Sequence, residues 1–186
     1  FLLNNIEKSF QKNMDIYMKN LENYGLINNK SFNKKNNLVQ HFYRDKNLKI
    51  IIDLKSKNED SYYITPKVLI CENHEHYIFN KEFFSPILVI YPYSCKEEAL
   101  ELCANQNSYS LTGSIFSEDK NFIEYAKNKL RHKTGNFYIN DKSTGSVVGQ
   151  QPFGGSGKSG TNDKAGDINL LFRLFNQRNI KVNKYF

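Results

Sequence analysis

A glycine-rich stretch near the C-terminus holds the residues best suited to chemistry. It reads TGSVVGQQPFGGSGKSGTNDKAG, spans residues 144–166 and contains seven of the chain's ten glycines. Within it, Gly145 and Ser146 can offer backbone N–H groups and a hydroxyl, and such donors suit a carboxylate. Phe153 can add an apolar wall beside them. The stretch therefore predicts an ordered loop where the backbone comes close to a ligand.

Three other interpretations of this stretch are weaker. A Walker A loop ending in GKS at 157–159 requires glycine at position 152, where the chain has Pro152. The letters GSGKSG at 155–160 match G-x-G-x-x-G, but no strand leads directly into them and the residues that follow start a helix poorly. A solvated linker has no need of apolar residues such as Val147 and Val148.

The cysteine and histidine side chains give only weak indications of a disulfide or a metal site. The three cysteines, Cys71, Cys95 and Cys103, form no C-x-x-C pair, which argues against a disulfide framework or a zinc site. A reducing compartment and a packing role fit them better. His74 and His76 form an H-x-H pair, but no third ligand stands at a recognisable spacing, so a solvated loop is favoured over a metal site.

Strands and helices that alternate along the chain must position these residues. Apolar runs predict strands at 48–54, 62–71, 87–93, 112–117 and 136–140. Ser94 with Glu97 forms a capping box that predicts one helix start, and Asp119 or Ser117 can cap a second helix. Gly135 is placed to end that second helix. The order predicts an α/β fold with a parallel-rich sheet and right-handed crossovers.

The two ends of the chain differ from this regular middle. Residues 1–60 are rich in Asn and Lys, and NNKSFNKKNN at 28–37 is typical of a loop or a low-complexity insertion. Residues 168–186 begin strongly apolar and then alternate around Ile180 and Val182, which predicts a long terminal strand. Its exposed edge should pair with the rest of the protein or with a partner subunit. The predicted divisions are residues 1–60, 61–167 and 168–186.

Composition bounds the remaining function classes. The net charge of the 186 residues is +7, but the lysines are scattered among asparagines, so a basic nucleic-acid-binding module is a weak alternative. No apolar run approaches the roughly 20 residues that span a bilayer. The first residues, FLLNNIEKSFQKNMD, lack the apolar core and cleavage site of a signal peptide.

Four motifs in order resemble the aldehyde dehydrogenase superfamily: KEFFSP at 81–86, then NFYINDKSTG, GQQPFGG and SGTNDKAG. The resemblance covers residues 61–186 well and 1–60 loosely, and it is nearest to members that oxidise glutamate γ-semialdehyde to glutamate with NAD in proline breakdown. It implies that the chain is the C-terminal portion of a catalytic domain and forms a homo-oligomer through a strand in 168–186. It also implies a location in the mitochondrial matrix, or otherwise in the cytoplasm.

The resemblance also implies roles for single residues. Glu82 matches the carboxylate that holds the nicotinamide ribose hydroxyls, and Phe84 matches the aromatic near the nicotinamide. Gly145 and Ser146 match the loop that anchors the α-carboxylate of the product glutamate. Phe153 matches an aromatic beside the aliphatic part of the substrate.

The chain also departs from the family pattern. Ser85 stands where the family usually has glycine, and a side chain there can shift the loop that positions Glu82. The family's nucleophilic Cys lies in a Gly-Gln-x-Cys context that this sequence lacks, and its general-base Glu, oxyanion-hole Asn and nucleotide-binding domain all precede the matched region. We therefore expect no catalytic residue and no dehydrogenase activity in this chain alone. The open alternative is an inactive remnant that acts through subunit association.

Overall fold

The computed structural model describes residues 26, 28–54, 62–106, 108–143 and 146–185, with a few positions between 5 and 13. Gly145, one of the predicted contact residues, lies outside these ranges. The chain divides into two compact units, Phe1–Ser94 and Cys95–Phe186. The divisions at 60 and 167 made from the sequence stay a prediction.

The first unit is built on a three-stranded sheet. Strand β1 (Leu48–Asp53) runs antiparallel to β2 (Lys67–Cys71), and β2 runs parallel to β3 (Ile87–Ile90). All three lie within predicted apolar runs and are shorter than those runs. β2 is the central strand, and its five residues are all buried because both of its faces are covered.

Helix α1 (Asn29–Phe42) packs on this unit's core and corrects one prediction. The stretch 28–37 was expected to form a loop, and it forms most of α1 instead. The Asn28 side chain caps the helix by accepting a hydrogen bond from the third N–H that follows, at 2.9 Å. Phe32 and Val39 lie on the face that meets the core. Asparagines and lysines on the other face hide this periodicity in the sequence.

The second unit contains the predicted alternation of strands and helices. Strand β5 (Thr112–Ile115) runs parallel to β6 (Asn136–Ile139), and helix α3 (Lys120–Leu130) connects them. Helix α2 (Lys96–Asn105) packs against α3. The buried side chains of this helix pair are Leu100, Ala104, Ala126 and Leu130. The parallel pairing of β5 with β6 confirms the predicted crossover unit.

A short antiparallel pair completes the second unit. Strand β4 (Tyr109–Ser110) pairs with β7 (Ser156–Gly157), which belongs to the glycine-rich stretch. The described residues therefore form an α/β arrangement with three small sheets, two of which contain a parallel pair. The expected single parallel-rich sheet is thus too simple a description.

The helix starts in the second unit confirm one predicted cap and correct the other. Asp119 caps α3 and accepts hydrogen bonds from two first-turn N–H groups at 3.0 and 3.1 Å. The capping box of Ser94 and Glu97 is wrong, because α2 starts one residue later with Cys95 as its N-cap. That shift makes Glu97 the second helical residue, where its carboxylate accepts a hydrogen bond from the Cys95 thiol at 3.2 Å.

The terminal segment begins with a short helix, α4 (Ile168–Phe172), so the predicted strand is wrong over these five residues. Asp167 caps the helix by accepting from a first-turn N–H at 2.8 Å. Residues 175–185 contain neither helix nor strand. A strand there would need a neighbouring strand for its hydrogen bonds, and this part of the prediction stays open. Within the described ranges, no helix is both long enough and apolar enough to cross a membrane.

Candidate functional site

The predicted cofactor loop, residues 81–86, is anchored at two points in the first unit. Phe83 is buried, and its ring meets the Phe42 ring edge-on with centroids 5.8 Å apart. The carbonyl of Pro86 accepts a hydrogen bond from the Lys67 N–H at 2.9 Å, which ties the loop to β2. These two contacts therefore fix the backbone on both sides of Phe84 and Ser85.

Both predicted cofactor contacts in this loop, Glu82 and Phe84, are exposed. The Phe84 backbone has a φ of 47°, and the residue is 78% exposed. Holding a non-glycine residue in this region costs about 1–2 kcal/mol, and such strain concentrates at functional sites. Desolvation lowers the pKa of Lys35, and the negative charge of Glu82 opposes that shift. The Glu82 carboxylate therefore lies within electrostatic range of a lysine.

Ser85 replaces the family's glycine without backbone strain. Its φ is not in the left-handed region, and its hydroxyl donates to the Phe83 carbonyl at 3.0 Å. The left-handed conformation falls on Phe84 instead. The position therefore accepts a side chain, and that side chain helps to hold the loop.

The glycine-rich stretch is an ordered loop over its described residues, 146–166. Phe153 and Ala165 form an antiparallel bridge, with N···O distances of 3.0 and 2.8 Å. The Asn162 N–H donates to the Gly155 carbonyl at 2.7 Å. The outgoing and returning halves of the loop are thus paired, which confirms an ordered loop and excludes a solvated linker.

The GSGKSG letters do not form a phosphate cradle. The Lys158 N–H donates to the Ser108 carbonyl at 2.9 Å, and the Ser159 N–H donates to the Ser156 carbonyl at 3.0 Å. The Ser159 hydroxyl accepts from the Ser110 N–H at 3.0 Å. Because the Lys158 and Ser159 N–H groups already donate to carbonyls within the protein, they are not available to bind a phosphate.

Close approach of backbone to backbone explains Gly155 in this loop and Gly135 just before β6. A Cβ at Gly135 would lie 2.0 Å from the Gly154 carbonyl oxygen, and a Cβ at Gly155 would lie 2.5 Å from the Ser110 carbonyl oxygen. The prediction that Gly135 ends α3 is wrong, because that helix ends at Leu130. Gly135 instead lets the loop lie against the start of β6.

Two predicted substrate contacts lie in this loop. Ser146 is half-buried, and its hydroxyl lies 3.3 Å from the carbonyl and 3.4 Å from the Oε1 of Gln151. Both distances are long for O–H···O bonds, so a ligand can compete for the hydroxyl. Phe153 is half-buried and held by its bridge to Ala165.

Sequence reasoning missed two polar residues that hold the loop. The Asn136 amide donates to the Pro152 carbonyl at 3.0 Å and accepts from the Gly154 N–H at 3.3 Å. The Lys164 ammonium donates to the Gly135 carbonyl at 2.5 Å, and desolvation lowers the pKa of this lysine. Lys164 stands among turn-forming residues and Asn136 at the start of a strand, and no local pattern distinguishes either from a solvated polar residue.

None of the three cysteines is prepared as a nucleophile, because the reactive form is the thiolate. Cys71 is buried, and desolvation raises the pKa of its thiol. Desolvation also raises the pKa of the Cys103 thiol. The Cys95 thiol keeps its proton and donates a hydrogen bond to the Glu97 carboxylate.

The prediction of a solvated H-x-H loop is wrong for His76, which is buried. Its Nδ1 accepts from the Ile78 N–H at 3.4 Å, and its Nε2 lies 3.0 Å from the Asp45 carboxylate. Since Nδ1 accepts, Nε2 donates to Asp45. Both nitrogens therefore serve the fold, and the described part of the chain contains no group of three or more His, Cys, Asp or Glu that could hold a metal.

Comparison with known proteins extends these observations. Residues 17–178 match the sequence model of the aldehyde dehydrogenase family. The chain is 42% identical over 160 residues to the mitochondrial delta-1-pyrroline-5-carboxylate dehydrogenase of Dictyostelium discoideum, covering 85% of this chain and 29% of that protein. For the human enzyme of the same name, identity is 39% over 158 residues, covering 84% of this chain and 28% of that protein.

Solved structures show the same likeness. The delta-pyrroline-5-carboxylate dehydrogenase of Mycobacterium tuberculosis bound with NAD superposes with a TM-score of 0.68 at 34% identity, covering 82% of this chain and 28% of that chain. The chain therefore spans less than a third of the length of these relatives. Because the family match covers most of the chain, and motifs and fold agree with it, the chain belongs to the aldehyde dehydrogenase family.

Proposed function

We propose that this chain is part of an NAD-dependent oxidoreductase that converts glutamate γ-semialdehyde to glutamate in proline breakdown. The observation that carries the proposal is the ordered glycine-rich loop, which holds Phe153 on a paired backbone and places the Ser146 hydroxyl near Gln151. The names of the relatives support this substrate, and the word mitochondrial in several of them supports the mitochondrial matrix as location.

In this proposal the glycine-rich loop recognises the amino-acid end of the substrate. The Gly145 N–H and the Ser146 hydroxyl donate to the α-carboxylate, and the long hydrogen bonds of Ser146 to Gln151 are exchanged for shorter charged ones. The Phe153 ring covers the methylene groups, which cannot form hydrogen bonds. An aldehyde without an α-carboxylate would gain nothing from the first two donors.

The cofactor loop serves NAD. The Glu82 carboxylate accepts hydrogen bonds from the nicotinamide ribose hydroxyls, and the exposed Phe84 ring packs near the nicotinamide. NAD, when bound, supplies the acceptor for the hydride that leaves the aldehyde carbon. The nucleophilic thiol is not Cys71, Cys95 or Cys103, so we propose that residues 1–186 alone are inactive.

The test compares two aldehydes in the full-length protein that carries this chain. We expect NADH formation with glutamate γ-semialdehyde, and none from residues 1–186 alone. Loss of a hydrogen bond to a charged group costs about 1.5–3 kcal/mol, so Ser146→Ala should raise the KM for the semialdehyde by about tenfold to a hundredfold. The KM for butanal, which lacks the carboxylate, should not change, and Ser156→Ala in the same loop is the matched control.

Two results would count against these assignments. If Ser146→Ala raises both KM values equally, the anchor role is wrong although the enzyme activity stands. If the full-length protein forms no NADH from either aldehyde, the proposed function itself is wrong.

We also propose that the terminal segment joins subunits. Many of its apolar side chains are exposed: Ile168, Leu171, Phe172, Leu174, Phe175, Ile180, Val182 and Tyr185. A patch of this kind on a soluble protein is typical of an association surface. Removing residues 174–186 should lower the mass of the assembly in light scattering, and an unchanged mass would contradict the role.

A further inference from the structure

The Lys164 ammonium lies in a cage of neutral oxygens inside the glycine-rich loop. Its Nζ donates to the Gly135 carbonyl at 2.5 Å, to the Gly154 carbonyl, and to the Asn162 Oδ1 at 2.9 Å. An ammonium has three N–H donors, and this cage provides three acceptors. None of these three acceptors is a carboxylate, so the arrangement is not a surface ion pair.

The three acceptors come from three different segments. Gly135 directly precedes β6, Gly154 follows Phe153 on the outgoing half of the loop, and Asn162 lies on the returning half. One side chain therefore joins both halves of the loop to the start of β6. The bridge between Phe153 and Ala165 lies next to this junction on both halves.

The Asn136 amide also links the start of β6 to this loop, and a cation strengthens the junction for two physical reasons. Glycine has no side chain, so Gly135 and Gly154 cannot be held together by apolar packing between side chains. Their carbonyl oxygens both lie within hydrogen-bonding distance of the same Nζ, and two such dipoles repel each other unless a donor stands between them. Hydrogen bonds from a charged donor are about twice as strong as neutral ones.

We propose that Lys164 is a positioning residue, whose ammonium locks the glycine-rich loop and thereby holds the Phe153 ring where it receives the aliphatic part of the substrate. The substrate half of this inference rests on the proposed function. The locking half does not, because it concerns only the order of the loop.

The first test measures the lock without any activity. Lys164→Met keeps an unbranched side chain as far as Cε and removes the charged donor group. Loss of charged hydrogen bonds should speed amide hydrogen exchange in peptides covering residues 150–166 of the full-length protein by about tenfold or more. Peptides from α2 and α3 should keep their protection. The matched control is Lys158→Met in the same loop, where the exposed Nζ lies 5.7 Å from the centroid of the Tyr109 ring.

The second test measures positioning. Lys164→Met should raise the KM for glutamate γ-semialdehyde about tenfold, should leave kcat within about twofold, and should not change the KM for acetaldehyde, which has no chain for Phe153 to cover. Lys164→Gln keeps two donors without charge, so its exchange and KM should lie between those of the wild type and Lys164→Met.

The outcomes separate the two halves of the inference. The lock is wrong if Lys164→Met leaves amide exchange in residues 150–166 unchanged, or if it speeds exchange in α2 and α3 equally. If Lys164→Met does not fold, the same comparison is made with Lys164→Gln. Faster loop exchange with an unchanged KM overturns positioning while the proposed function stands. If the wild-type protein forms no NADH, the proposed function fails, and hydrogen exchange still decides the lock.

Discussion

Gly135 offers the sharpest test of the loop's construction. A methyl group at this position would lie 2.0 Å from the Gly154 carbonyl oxygen and 2.7 Å from the Gly155 Cα, and both are backbone atoms that no rotamer change can move. Ordinary contact begins at 3.4 Å, so the Gly154 carbonyl must retreat by about 1.4 Å. That movement breaks its hydrogen bond with Lys164.

Two costs set the size of this effect. Overpacking costs about 1–3 kcal/mol, and losing a hydrogen bond from a charged donor costs about 1.5–3 kcal/mol. Gly135 does not have a positive φ, so alanine introduces no backbone strain there. We expect Gly135→Ala to lower the free energy of unfolding by about 3–5 kcal/mol, a large part of the 5–15 kcal/mol typical of a domain.

Gly149→Ala provides the matched control. Its Cβ would have no heavy atom within 4 Å, but its φ of 82° strains a residue with a side chain. Strain of this kind costs about 1–2 kcal/mol. The two variants thus separate the cost of a steric conflict at Gly135 from the cost of backbone strain at Gly149.

Urea unfolding of the 186-residue chain, followed by far-ultraviolet circular dichroism, measures both variants. With a slope of about 1–3 kcal/mol per molar urea, Gly135→Ala should lower the midpoint by about 1 M or more, and Gly149→Ala by clearly less. Equal midpoints for the two alanine variants would refute the close approach of the loop to β6.

Two tyrosines give further tests. Desolvation and a 2.6 Å hydrogen bond to Asp53 raise the pKa of Tyr43 to about 12, so its contribution to stability should be full below pH 10 and disappear as the pH rises through about 12. Spectrophotometric titration of Tyr43→Phe should lose one tyrosinate that forms near pH 12, and an unchanged curve would contradict this. The buried Tyr138 hydroxyl has no hydrogen-bond partner among the described residues, so Tyr138→Phe should leave the urea midpoint unchanged or raise it. A loss of more than about 1 kcal/mol would show that the hydroxyl has a partner.

The features that the sequence predicted well depend on neighbours along the chain. Asp119 could be identified as a cap because a cap and the N–H groups that it receives lie within one turn. The strands β5 and β6 could be placed because a crossover helix between apolar runs favours parallel pairing. The glycine-rich stretch could be recognised as an ordered loop because its apolar residues do not suit a linker.

The errors arose where distant residues decide the outcome. The stretch 28–37 is helical because Phe32 and its helical neighbours meet a core formed largely by later residues. His76 can be buried because Asp45, 31 positions earlier, accepts a hydrogen bond from its Nε2–H group.

The sequence by itself determined the family and the parallel crossover unit, because motifs and periodicity are local properties of the chain, and its motifs predict the candidate contact residues. Only the tertiary structure assigned Gly135 to a close backbone contact and Lys164 to a cage of carbonyls. The physical reason is that the steric conflict between Gly135 and Gly154, 19 positions apart, and the charged hydrogen bond between Gly135 and Lys164, 29 positions apart, exist only after folding has brought these segments together.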